Sequence, residues 1–301
     1  MVSLLVVSSS RAGGDDAALT RAVGTLRDGG EVELARTDGP DELDRLLDVR
    51  AGRTLVVAGG DGTLHAVVAA LDRRDELRGT VLGLLPLGTG NDFARGLGIP
   101  LAPAAAAGVI LAGHHRPVDL LRSPDPSDHA VVNAAHVGAG AHAAWAGADW
   151  KQRLGRIGYP IGALVTALRP PELRLEIEVD GQPLARPKHG VVLQVAVGIG
   201  GSVGGGAKLI PQADPGDGAA DVLVSFAVSP LARLGYAAAL LRGRHPRRPD
   251  VISARGQHIR LRGDPFWCSA DGELSGPHIS REWRLQPAAY DVFVPSAPGV
   301  A

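Results

Sequence analysis

The chain has 301 residues, 45% of them hydrophobic and 21% charged, with a formal net charge of −1. This is globular composition, long enough for two domains, and it excludes a disordered or fibrous chain. Balanced charge supplies no global field that favours nucleic acid or a membrane, and no nucleic-acid partner is expected.

Leu4–Val7 reads as a buried first strand, since it lacks the basic leader expected of a signal peptide. Leu19, Val23 and Leu26 carry helical spacing through Asp16–Leu26, and Gly29-Gly30 stops it. Glu31–Ala35 is a strand, and Asp41–Leu47 a short helix behind Pro40. Thr54–Ala58 is apolar throughout, as in a strand covered on both faces. Leu64, Val67, Val68 and Leu71 form one helix face. Val81–Leu85 is a strand, and a helix then runs from Asn91 to the stop at Gly98 and Pro100. Ala104–Leu111 is a helix and Val118–Leu121 a strand. This alternation predicts a parallel sheet with helices on both faces, an α/β domain over residues 1–121.

Ser-Pro-Asp-Pro-Ser-Asp (123–128) reads as a linker, and the pattern then changes. His129–Val137 is a strand and Leu154–Leu168 a helix. Strands follow at Leu173–Val179, Val191–Val197, Asp221–Ala227, Val251–Ala254, His258–Leu261 and Phe266–Ala270, with a helix at Leu231–Leu241. Asp180-Gly181 is a hairpin turn. Residues 122–301 thus predict a mainly antiparallel β domain, whose last segment could pack back on the first. No apolar run reaches the roughly 18 residues of a membrane span. One cysteine, Cys268, permits no intramolecular disulfide and fits a reducing, cytoplasmic setting. The oligomeric state is not legible.

Two segments point to chemistry. Gly59-Gly60-Asp61-Gly62-Thr63 joins a buried strand to a helix. The glycines let backbone approach a phosphate, and the helix N-terminus offers amides and positive dipole charge. Asp61 suits such a site if Mg²⁺ lies between it and the phosphates. Thr63 can cap the helix or donate to a phosphate oxygen. Alone, the segment could also be a plain strand-to-helix turn. Leu85 through Arg95 repeats the design with Gly88, Thr89, Gly90, Asn91 and Asp92; Asn91 reads as an N-cap and Asp92 as a first-turn acid. Two such turns at neighbouring strand ends can build one nucleotide site.

Gly-Gly-Asp-Gly-Thr-Leu-His (59–65) and Pro-Leu-Gly-Thr-Gly-Asn-Asp-Phe-Ala-Arg (86–95) resemble the diacylglycerol kinase catalytic domain family, which includes bacterial lipid kinases and sphingosine kinases. The first word also occurs in NAD kinases; the second is more specific to lipid kinases. Further similarity runs through Pro117–Leu120, Val132-Asn133 with Gly138 and Gly140, Gly204–Gly206, Pro211–Gly218 and Asp271–Glu273. The resemblance implies a nucleotide domain, a C-terminal β-sandwich, ATP and Mg²⁺ as cofactors and a lipid substrate. It assigns ATP contacts to Thr37, Gly59, Gly60, Asp61, Gly62, Thr63, Leu64, His65, Gly88, Thr89 and Asn91. Asp61, Asp92 and Asp119 would form an acidic cluster near a catalytic Mg²⁺. Asp217, with Asp214 and Ala219, would bind a second Mg²⁺, and Glu273 would be the general base. One departure is Ser8–Gly14, where the family often carries Asn-Pro-x-Ser-Gly.

Read without the resemblance, Asp271-Gly272 is an ordinary hairpin turn. Gly200–Gly204 fits a nucleophile elbow, but Gly205, Gly206 and Pro211 leave no room for the required helix. Gly138-x-Gly140 is a weak dinucleotide fingerprint, with Ala143 in its third place and no later acidic residue at the expected ribose position. Arg242–Arg248, behind an apolar helix, is either a solvated basic loop or a transient contact for anionic headgroups. The expected activity is ATP-dependent phosphorylation of a lipid hydroxyl. The alternatives are a soluble acceptor such as NAD, or nucleotide or lipid binding without turnover.

Overall fold

In a computed structural model the residues described are 2–9, 15–125, 130–139, 141 and 172–296. They form two compact units. Met1–Leu120, Pro215–Asp217 and Pro287–Ala301 make the first; Leu121–Asp214 and Gly218–Gln286 make the second.

The first unit begins with β1 (Val2–Ser9), α1 (Asp16–Arg27), β2 (Gly30–Thr37) and α2 (Pro40–Asp48). It continues with β3 (Thr54–Gly59), α3 (Asp61–Arg73), β4 (Val81–Pro86), α4 (Asp92–Gly96), α5 (Pro103–Ala112) and β5 (His115–Arg122). Leu4–Val7 and Leu55–Ala58 are almost fully buried, so these strands are covered on both sides. α1 lays Leu19, Ala22, Val23 and Leu26 inward, and Asp15 caps it by accepting from the Ala17 and Ala18 amides at 3.0 and 3.1 Å.

The strands pair in parallel in the order β2-β1-β3-β4. From β1 the chain steps to β2 on one side and then crosses to β3 on the other. That reversal is a topological switch point, where open α/β sheets take ligands beyond the carboxyl ends of their strands.

The second unit holds β6 (Ala134–Gly138), β7 (Leu175–Val179), β8 (Gln182–Ala185), β9 (Gln194–Gly198) and β10 (Ala220–Ser225). Then come α6 (Pro230–Leu241), β11 (Val251–Gly256), β12 (His258–Ala270) and β13 (Glu273–Phe293). Antiparallel pairing runs β11-β10-β9-β6-β12-β13, with β7 also on β12 and β8 on β7. Phe266, Cys268 and Trp283 lie in the core of this β-sandwich, with Ile177, Val197 and Val222.

The Asp180-Gly181 hairpin forms as expected, with both residues at positive φ (50° and 75°) between Val179 and Gln182. Two expectations are corrected. His258–Leu261 and Phe266–Ala270 are one strand, β12, whose register shifts between Arg262 and Phe266 absorb the Gly263-Asp264-Pro265 interruption. β13 carries 21 residues where no strand was expected. Its Asp291 and Val292 pair in parallel with Val81 and Leu82 of β4, in the first unit. The expected helix at 154–168, Gly140 and Ala143 of the fingerprint, and residues 10–14 of the first loop lie outside the described residues. No helix among the described residues is long and apolar enough to cross a membrane.

Candidate nucleotide-binding site

β3 ends at Gly59, and Gly60 stands at the N-cap of α3 with no side chain capping the helix. Thr63 does not cap α3. Its side chain folds back over Gly59, where an added Cβ would lie 2.4 Å from Thr63 Oγ1. The Thr63 N–H turns inward to the Gly60 carbonyl at 3.0 Å, which leaves the Asp61 and Gly62 amides for an outside acceptor. Gly62 faces open space, with nothing within 4 Å of an added Cβ. Leu64 and His65 are buried at 4% and 6% exposure, on the inner side of the helix.

The second glycine turn touches the first. A Cβ on Gly60 would lie 3.0 Å from the Gly88 Cα, and one on Gly88 would lie 2.4 Å from the Gly60 Cα. The two turns meet backbone to backbone, which only glycine permits here. The Leu87 N–H also donates to the Gly59 carbonyl at 2.9 Å.

The capping expected of Asn91 is corrected. Asn91 occupies the N-cap position of α4, but at φ 52°, ψ 42° and without a capping bond. Its side chain closes on Gly88 instead. Oδ1 accepts from the Gly88 N–H at 3.0 Å, and Nδ2 donates to the Gly88 carbonyl at 2.8 Å. The cap comes from the other turn. Asp61 Oδ2 accepts from the Asp92 N–H at 3.0 Å, and Oδ1 from the Phe93 N–H at 3.1 Å. One carboxylate thus locks α4 to the start of α3. Each oxygen keeps a lone pair for a further donor or cation. Asp92 is buried, and Thr89 is exposed at the tip of its turn. Val57, Leu84, Pro86 and Phe93 line a small pocket beneath the turns.

On the far side of the switch point, β1 and β2 end at Ser8-Ser9 and Thr37. Thr37 is buried and donates through Oγ1 to the Ser8 carbonyl at 3.5 Å. The Ser8 hydroxyl is buried with no hydrogen-bond partner. Such an atom is a reason to look for a ligand. Ser8 was missing from the expected contacts. Its sequence signals were its place at the end of a buried strand and at the head of Ser8–Gly14, where the family often carries Asn-Pro-x-Ser-Gly.

Asp119 is 2% exposed and accepts from the Ala288 N–H at 2.9 Å, while its own amide donates to the Pro215 carbonyl at 2.6 Å. An added Cβ on Gly216 would lie 2.5 Å from the Pro117 carbonyl. The loop at 215–217 is thereby tied to β5. Asp214 and Ala219 are half-buried and Asp217 is exposed. No group of three or more His, Cys, Asp or Glu that could hold a metal ion gathers among the described residues.

Glu273 opens β13 and is exposed. It follows the Asp271-Gly272 turn, where both residues take positive φ (47° and 88°). The sequence reading gave Asp271 no role beyond that turn. Its carboxylate accepts from the Val132, Asn133 and Ala134 amides at 2.6, 3.0 and 3.1 Å. The turn that carries Glu273 is therefore clamped to the entry of β6.

Residues 3–123 match the diacylglycerol kinase catalytic domain, and residues 133–294 match the YegS C-terminal NAD kinase beta sandwich-like domain. The chain belongs to the diacylglycerol kinase family. It is 31% identical to a "Probable lipid kinase YegS-like" of Xanthomonas oryzae pv. oryzae, over 94% of this chain and 93% of the relative. A diacylglycerol kinase crystal structure from Bacillus anthracis str. Sterne superposes with a TM-score of 0.78 at 25% identity, covering 99% of this chain and 98% of that one. An NAD kinase from Archaeoglobus fulgidus in complex with ATP shares the fold, with a TM-score of 0.52 at 13% identity over 96% of this chain and 93% of that one.

Proposed function

We propose that this chain transfers the γ-phosphate of ATP to a hydroxyl group of a lipid. The observation that carries the reading is the backbone contact of the two glycine turns beside the β1/β3 switch point, with Asp61 bonded across them. The lipid-kinase relatives support the choice of acceptor.

The residues present fit a nucleotide. The α3 amides and the open face of Gly62 suit phosphate oxygens. Ser8, Thr37 and Thr89 add hydroxyl groups at the strand ends. In the reaction the acceptor oxygen bonds to the γ-phosphorus, the bond to the β,γ-bridging oxygen breaks, and ADP leaves. Glu273 takes the hydroxyl proton as general base. Asp61 keeps the second turn in place through α4, so that the phosphates meet a fixed backbone. Mg²⁺, when bound, would neutralise phosphate charge; Asp61, Asp92 and Asp119 would offer carboxylate oxygens near one ion, and Asp217 with the backbone oxygens of Asp214 and Ala219 would hold a second.

The test is incubation with Mg-ATP and extracted lipids, with NAD in parallel, read by mass spectrometry of the products. A phosphorylated lipid is the expected product. Phosphorylated NAD without any lipid product, or ATP binding without product on either acceptor, overturns the proposal. Glu273→Gln should lower transfer by about 10²–10⁴-fold with an unchanged melting temperature, since the residue is exposed. Full activity in that variant removes Glu273 from its role.

A further inference from the structure

Helix α6 presents two unlike faces. Ser229 caps it, Oγ accepting from the Ala232 N–H at 3.3 Å. Ala232, Tyr236 and Leu240, four residues apart, pack on a core that contains Ala196, Leu223 and Val251. The opposite face is apolar as well. Leu231, Leu234 and Leu241 are 83%, 69% and 88% exposed. With exposed Ala238 they fall at i, i+3, i+7 and i+10, one stripe pointing away from Tyr236. Isolated exposed leucines need no explanation, but a stripe of them at helical spacing does.

Charge along the segment that carries the stripe is basic. Residues 222–249 contain five arginines and no aspartate or glutamate. Arg248 is held by Asp250, its Nε and one terminal nitrogen at 2.7 and 2.6 Å. Arg242, Arg244 and Arg247 are exposed just beyond the helix, Arg242 also donating to the Ala238 carbonyl at 2.9 Å. A self-complementary pairing of two copies through this face would set arginine against arginine. An anionic bilayer supplies both an apolar boundary for the leucines and negative headgroups for the arginines.

We propose that α6, with the turn at Arg242–Arg247, docks the protein on an anionic membrane by laying its leucine stripe into the headgroup–acyl boundary. The lipid-kinase reading supplies the reason to visit a bilayer; the surface itself rests on the exposed stripe and the basic segment that carries it.

The experiment is vesicle co-sedimentation of the full chain without nucleotide. The vesicles are phosphatidylcholine alone, or equal parts phosphatidylcholine and phosphatidylglycerol. The wild type should sediment with the mixed vesicles, weakly or not at all with the neutral ones, and less as salt rises. The variant L231Q/L234Q/L241Q should lose at least about tenfold in partitioning, with an unchanged melting temperature and unchanged ATP binding. R242Q/R244Q/R247Q should lose about 100-fold on mixed vesicles and little on neutral ones. Wild-type partitioning by the leucine variant overturns the proposal, as does a wild type that ignores both vesicles. It is equally overturned if the leucine variant merely turns a dimer into a monomer in analytical ultracentrifugation, which would make a second copy the occupant. Because no ATP is present, vesicle binding survives a failure of the kinase reading and the two outcomes stay separate.

Discussion

Replacing Gly88 by alanine tests the contact on which the nucleotide site rests. The added methyl would lie 2.4 Å from the Gly60 Cα and 2.9 Å from Asn91 Oδ1, where ordinary contact begins at 3.4 Å. The obstacle is backbone, so the turns must part by about 1 Å, and overpacking of this kind costs about 1–3 kcal/mol. A displacement of about 1 Å in groups that position a reacting phosphate costs about 100-fold in rate. Gly62→Ala is the control: nothing lies within 4 Å of its Cβ, and alanine is the better helix former by about 0.5–1 kcal/mol. Thermal melts, ATP titration calorimetry and γ-phosphate turnover should place Gly88→Ala below wild type in all three. Gly62→Ala should melt no lower than wild type and bind ATP more weakly, because its methyl enters the space meant for phosphate. Wild-type turnover and ATP affinity in Gly88→Ala would refute the reasoning.

Asp61→Ala removes both acceptors that cap α4 and should cost about 1–2 kcal/mol in melts along with transfer activity; Asp61→Asn keeps an acceptor and should recover more stability than activity. Equal melting of the two would argue against the cap. Asp271→Ala leaves three amides at the entry of β6 without their carboxylate and should destabilise by about 2–4 kcal/mol in urea unfolding, well beyond Glu273→Gln. His136, on β6, has its pKa pushed by burial from 6.5 down to about 4, and its Nδ1 has no hydrogen-bond partner. Below pH 6.5 the unfolded chain takes up a proton that the folded chain refuses. This contribution is therefore intact above pH 6.5 and fades as pH falls towards 4, by about 2 kcal/mol at pH 5. Urea midpoints at pH 7 and pH 5 should differ less in His136→Gln than in wild type, and an equal difference would remove His136 as the cause.

The parts of the fold that were legible in sequence are those set by local pattern. Thr54–Gly59 is apolar at every buried position, and α3 shows its inner face as Leu64, Val67, Val68 and Leu71. The two glycine turns were legible because phosphate cradles need small residues at strand ends. Asn91 misled because its type suits a cap, while its αL backbone turns the side chain back to Gly88. Asp61 and Asp271 act on amides more than 30 and more than 130 residues away, respectively, and no local window contains such a partner. β13 escaped notice because Gly276, Pro277 and Pro287 break its pattern, and its polar face is exposed along much of its length.

The pairing of Asp291 and Val292 with β4 also bears on synthesis. A ribosome releases β1 through β4 long before the residues that close that flank. Until the tail emerges, β4 is a bare border of unpaired amides, open to strands of other nascent chains. A truncated gene ending after Leu120 would fix that interim state permanently, and its product should precipitate unless residues 287–296 are supplied as a separate peptide.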